Sequence, residues 1–220
     1  MNDLSEKEQL EEFRAWWSQN AWFVIGGLLL GIAGLVGWNF WQDRQASAEV
    51  AASSAYEALV EQVADGNQDE AGTLAAELFR DYDATPYAAQ GRLAMARLYM
   101  DGGRDQDAAD VLRPLAASGD GDVMTLVARH RLAQILLYQD KPQDVIDLIG
   151  TPGDTAFAAR FHEVLGDAQL ALGNLTQARE AYQAVLADAR AAQTVNTALV
   201  RMKLDDLPPP AAPAAAGAAE

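Results

Sequence analysis

The 220-residue sequence predicts an all-α fold, with one N-terminal transmembrane helix followed by an α-solenoid of about four helix pairs. Three observations carry that expectation. All five tryptophans (Trp16, Trp17, Trp22, Trp38 and Trp41) lie towards the two ends of one stretch, Ala15–Gln42, that holds no Asp, Glu, Lys or Arg. Short turns recur at Gly66, Gly103, Asp140 and Gly173, spaced 37, 37 and 33 residues apart, each between two apolar helical runs. No segment alternates apolar and polar residues as a half-buried strand would.

Residues 1–20 read as a short cytoplasmic amphipathic segment. Ser5 with Glu8 matches a capping box, and Leu10, Phe13 and Trp17 share a face at i, i+3, i+7. Residues 21–41, apolar except for Asn39, form the expected span. Trp17 to Trp41 would cover about 36 Å of helix. That length matches a hydrocarbon core of about 30 Å with an aromatic ring at each interface.

Ala46-Ser47-Ala48 fits the small-residue rule for a cleavage site. The apolar run of about 20 residues nevertheless exceeds the usual 7–15 of a signal peptide. Asp43 and Arg44 intervene, and the leader is acidic, so an uncleaved anchor is expected. Lys7, Arg14 and the amino terminus precede the span, whereas only Arg44 follows closely. Positive charge stays inside, which gives an N-in, C-out chain. Within the span, Gly27, Gly31 and Gly34 fall on one face and mark a surface for helix packing. The other reading is the ordinary glycine content of membrane helices.

Residues 42–207 hold the repeats. The last unit, Leu165–Leu186, reads LGDAQLALGNLTQAREAYQAVL and resembles the tetratricopeptide repeat. Gly166 and Ala178 are small where two helices cross closely, and Leu165 and Tyr182 fill the space around the crossing. The unit at 89–118 keeps Ala96, Tyr99, Gly103, Ala108, Leu112 and Leu115 in corresponding places. The unit at 126–149 keeps Ala133 and Val145 at the small positions, with Pro142 just past the turn. The first unit, Tyr56–Leu78, is the weakest. Its leading helix is expected to continue from the span, because Gln42–Val63 lacks Gly and Pro. Val195, Leu199 and Met202 suit the buried face of a capping helix ending near Asp205, and the Pro/Ala-rich residues 208–220 read as a disordered tail.

Composition narrows the function. From Glu49 onward the chain carries 13 basic and 26 acidic residues. A net charge of that sign argues against nucleic acid, whose phosphates need a Lys/Arg surface. The chain has no cysteine, so it holds no disulfide or thiolate metal site. No phosphate-binding loop, nucleophile elbow or zinc-protease helix is present. His130 and His162 are its two histidines, and His162 occupies a large packing position of a first helix. The run Asp101-Gly102-Gly103-Arg104-Asp105-Gln106-Asp107 only faintly resembles a calcium loop, lacking the glycine at position 6 and the closing Glu. It reads as an inter-helix turn, as does Ser118–Asp122. No catalytic residue, cofactor, metal or small-molecule substrate is expected.

Such repeats offer a groove lined by first-helix side chains. Here these are Gln90, Arg97, His130, Gln134, Arg160, Glu163 and Asp167, either a partner-binding groove or ordinary surface polarity.

The layout as a whole resembles the ancillary SecYEG translocon subunit family. The resemblance rests on the acidic leader Glu8-Gln9-Leu10-Glu11-Glu12-Phe13, the span ending Gly37-Trp38-Asn39-Phe40-Trp41, the Ala/Ser-rich helix through Tyr56, and the closing Met202-Lys203-Leu204-Asp205-Asp206-Leu207. It covers residues 1–207 and implies a single-pass inner-membrane protein with a short cytoplasmic N-terminus and a periplasmic repeat domain. It further implies the SecYEG translocon and a membrane-anchored periplasmic chaperone, related to prolyl isomerases, as partners. The implied role is a non-enzymatic adaptor that helps hand over newly translocated proteins. A repeat scaffold for cell-envelope assembly, or a membrane-anchored regulator, is the alternative.

Overall fold

A computed structural model describes residues 6–119 and 121–209. The expectation of a disordered tail therefore falls almost wholly outside the described residues, as does Ser5 of the capping box. Among the described residues the secondary structure is all helical, and no strand occurs. Two units are described separately: residues up to Ala51, and those from Ala52 on.

Helix α1, Glu6–Asp65, starts in the N-terminal unit. From Glu6 on, α1 runs without a break through residues 21–41. Nothing in its sequence from Glu6 to Val63 breaks a helix with proline. One window of α1 is long and apolar enough to cross a membrane, and none of that window is buried within the chain. Trp22, Leu30, Leu35 and Trp38 all stand exposed. A surface of that kind needs a partner other than water. Phe13 lies against Trp16 and Trp17, and Trp38 against Trp41, at ring separations of 6.4, 6.2 and 5.4 Å.

The second unit is a series of helix pairs. The C-terminal part of α1 precedes α2 (Gln68–Asp81); α3 (Pro86–Asp101) and α4 (Asp105–Ala117) follow, then α5 (Val123–Tyr138) and α6 (Pro142–Ile149), then α7 (Ala158–Ala171) and α8 (Leu175–Ala187). A short α9 (Ala191–Thr194) and α10 (Thr197–Asp205) close the series. The four expected turns are all present. Gly66, Gly103, Asp140 and Gly173 each take a left-handed backbone, at φ +75°, +71°, +57° and +77°. That conformation is easy for glycine and open to Asp, and it explains the recurring residue choice.

Starts are fixed locally too. Thr85 caps α3 with Pro86 as its first residue, and Asp122 accepts hydrogen bonds from the amides of Met124 and Thr125 to cap α5. The run 101–107 is the α3–α4 turn, with Asp107 bound by Arg104 at 2.7 Å and Asp105 accepting from Gln139 at 2.8 Å.

Each pair shares a core with its neighbours. Ala52 and Leu59 pack with Ala71, Ala75, Leu78 and Ala88. The largest cluster joins Leu112, Leu132, Ala133, Leu136, Val145, Phe161 and Leu165 across α4 to α7. First helices α3, α5 and α7 pack successively against one another, which places their free faces side by side.

The cap differs from the sequence expectation. Its terminus near Asp205 holds, but Val195 lies outside α10, and Leu199 and Met202 are exposed. Val200, Leu204 and Leu207 turn inward instead, with Ala178, Tyr182 and Val185 as neighbours. Lys203 decides this rotation: it sits on that inward face and reaches two carboxylates of α7.

Candidate partner-binding groove

The candidate groove residues lie on α3, α5 and α7, and all but one of them fall into three side-chain clusters. In the first, Arg97 of α3 and Gln134 of α5 come together at a depression of about 320 Å³. Its floor is Ala96, Leu112 and Ile135, all buried, with Met100 beside them, and Arg131 completes the rim. Gln90 lies two helical turns before Arg97, half-buried and outside this notch.

In the second cluster, His130 packs against Phe157 and Phe161, each ring centroid 6.4 Å away. Arg160 lies 5.2 Å above the Phe157 ring and donates from Nε to the Thr194 carbonyl at 3.1 Å. Burial, together with the nearby charges of Arg160 and Arg131, pushes His130 down to about 4. His130 is therefore neutral at ordinary pH, an apolar-packed ring rather than a charged contact.

In the third, Glu163 and Asp167 are held by Lys203 of α10. Nζ lies 3.2 Å from Glu163 Oε1 and 2.8 Å from each Asp167 oxygen. The Tyr182 hydroxyl donates to Asp167 Oδ1 at 2.8 Å. Burial opposes the Lys203 charge, but the hydrogen bond and charge of Asp167, then of Glu163, outweigh it and its pKa rises. The tyrosine is raised as well, by burial first and by Asp167 second. These two carboxylates thus already have a partner within the chain. His162, on the same helix, is half-buried, and burial lowers its pKa against the opposing Asp188 charge.

Met100, Arg131 and Ile135 are the notch residues that sequence reading passed over. The signal was available: Arg131, Gln134 and Ile135 recur at i, i+3, i+4. The adjacent His130 belongs to the neighbouring cluster, so the helical face had to be divided between two neighbours. Among the described residues no group of three His, Cys or carboxylate side chains is placed to hold a metal ion.

The model of the tetratricopeptide repeat-like domain matches residues 14–209, nearly the whole chain. The chain belongs to the tetratricopeptide repeat-like domain family. Curated relatives also match over most of the chain. The ancillary SecYEG translocon subunit of Aggregatibacter actinomycetemcomitans is 25% identical over 93% of this chain and 98% of its own length. That of Escherichia coli K12 is 27% identical over 82% and 86%, and that of Neisseria gonorrhoeae is 26% identical over 93% and 98%. The family resemblance read from the leader, the Trp-rich span and the repeats is thereby borne out. No solved structure matches the chain.

Proposed function

We propose that the chain is a non-enzymatic, membrane-tethered adaptor at the SecYEG translocon. Residues 21–41 cross the inner membrane, the N-terminus is cytoplasmic, and the repeats stand in the periplasm. There they bind translocon subunits and a membrane-anchored chaperone of the prolyl-isomerase-related type, and help hand over newly translocated proteins. The observation that carries the reading is end-to-end correspondence: relatives named for the translocon align over the exposed apolar helix and the repeats together.

Tethering gives a weak groove its purchase. A binder held beside its target works at an effective concentration of about a millimolar, so micromolar contacts suffice. Gly27, Gly31 and Gly34 offer the span a close-packing face, consistent with docking on another membrane helix. A Cβ at any of the three would meet nothing within the chain, so the space there is free for a partner.

The test is photo-crosslinking in living cells from Gly31 and from Gln134, read by mass spectrometry. Translocon subunits captured from the span and a periplasmic chaperone from the groove support the proposal. Capture of division or outer-membrane assembly proteins instead, or a topology reporter after Glu220 active only in the cytoplasm, overturns it.

A further inference from the structure

Five arginines lie on α3, α5 and α7, and their surroundings divide them. Arg92 is almost enclosed, bound to Asp83 at 2.7 Å and stacked 4.2 Å over Phe79. Arg129 donates from Nε and Nη2 to the Ala116 carbonyl at 3.3 and 3.0 Å, and Arg160 is tied to Thr194 and Phe157. These three are used up by the fold. The other two rim the notch and hold only loose partners. Arg97 reaches Asp101 at 3.6 Å with its side chain 80% exposed, a pairing worth little in water. Arg131 touches the Leu93 carbonyl at 3.5 Å, the outer limit of a hydrogen bond.

We infer that this notch receives an acidic, aliphatic segment of a partner protein. An aliphatic side chain seats on Ala96, Leu112, Met100 and Ile135, and flanking carboxylates exchange the loose partners of Arg97 and Arg131 for paired guanidinium contacts. Such contacts are short and directional. The charge of the chain sharpens the choice. With a net charge of −16, most of its surface repels an acidic segment, so attraction is confined to the notch and the register is set there. A basic segment would meet the reverse, namely attraction across the surface and repulsion at this rim. The inference rests on the adaptor reading and names the chemistry of the partner at one part of its groove.

The experiment is isothermal titration of the full-length chain, in uncharged detergent micelles, with the blocked peptide EDLLDE. Saturable binding is expected. It should weaken at least about tenfold in R97E/R131E, less in the milder R97Q/R131Q, and not at all in R113E, whose arginine lies on α4 outside the notch. The milder pair keeps the test decisive if charge reversal disturbs folding. Equal binding of KKLLKK, an equal loss in R113E, no saturable binding, or displacement of the peptide by phosphatidylglycerol would each overturn the inference. Crosslinks to the translocon that persist in R97E/R131E, with peptide binding absent from the start, sink this inference alone. Absence of translocon crosslinks from the unsubstituted chain, with peptide binding that R97E/R131E weakens as expected, sinks the adaptor reading instead.

Discussion

The Tyr182 ring rests against the backbone of Gly166: a Cβ there would lie 2.6 Å from ring Cδ1 and 3.0 Å from Cζ. The tyrosine is fully buried and tied by its hydroxyl to Asp167, so the ring has no room to swing away. Gly166→Ala gains up to about 1 kcal/mol of helix propensity. It also incurs an overpacking cost of about 1–3 kcal/mol, so a net loss of stability is expected. Gly72→Ala should have the opposite sign, because its Cβ would sit 3.6 Å from the Tyr99 hydroxyl, an ordinary contact. Urea unfolding in detergent micelles, followed by far-ultraviolet circular dichroism, compares the two. Shifts of the same sign would refute the packing argument.

That crossing was legible in the sequence because a small residue facing a large one leaves a local, periodic mark. The turns were legible for a related reason, since a left-handed backbone restricts the residue that can occupy it. The face of α10 was not. Its apolar residues at 199 and 202 fit the spacing as well as those at 200, 204 and 207 do, and the choice is made by Lys203 meeting carboxylates 36 and 40 residues away. The same long-range pairing is why Glu163 and Asp167 read as groove residues although the fold itself occupies them.

At the turns, Asp140 adopts φ +57° where its three counterparts are glycines. A left-handed residue with a Cβ costs roughly 1–2 kcal/mol, partly offset by the greater entropy a glycine loses on folding. Asp140→Gly should therefore raise stability by up to about 1 kcal/mol. Gly173→Ala should lower it by about the same amount or more. Chemical unfolding midpoints of the two variants check the pair, and a stabilised G173A would contradict the assignment.

The Lys203–Asp167–Tyr182 cluster should make the cap sensitive to alkali. Both Lys203 and Tyr182 have raised folded pKa values, so each favours its protonated form in the folded state. Their contribution is fully present below the ordinary values near 10 and is lost as pH rises from there through the raised ones. Lys203→Met leaves two half-buried carboxylates without a counter-charge, Asp167 keeping only the Tyr182 hydroxyl. Its cost should fall between the exposed and buried limits, at about 1–3 kcal/mol. Tyr182→Phe loses one hydrogen bond, about 1 kcal/mol, and should flatten the alkaline limb. Hydrogen exchange of the α10 amides between pH 8 and 11 reads both effects. Unchanged protection in K203M would show that α10 is held by its apolar face alone.

His130 governs the acid limb. Burial, then Arg160 and Arg131, lower it from 6.5 to about 4, so the folded chain holds it neutral while the unfolded chain protonates it. A depressed pKa gives stability that is fully present above about 6.5 and lost as pH falls through about 4, on the order of 2 kcal/mol in all. His162, also lowered by burial, adds a further part of the same sign. Asp81, Asp110 and Asp188 are held low by their hydrogen bonds and contribute only beneath the usual carboxylate range. Unfolding free energy compared between pH 7 and pH 4.5 therefore isolates the histidines. His130→Leu, which keeps an apolar contact for Phe157 and Phe161, should reduce the acid-induced loss without abolishing it. An identical loss in H130L would mean that the ring is solvated and that the aromatic cluster opens freely in solution.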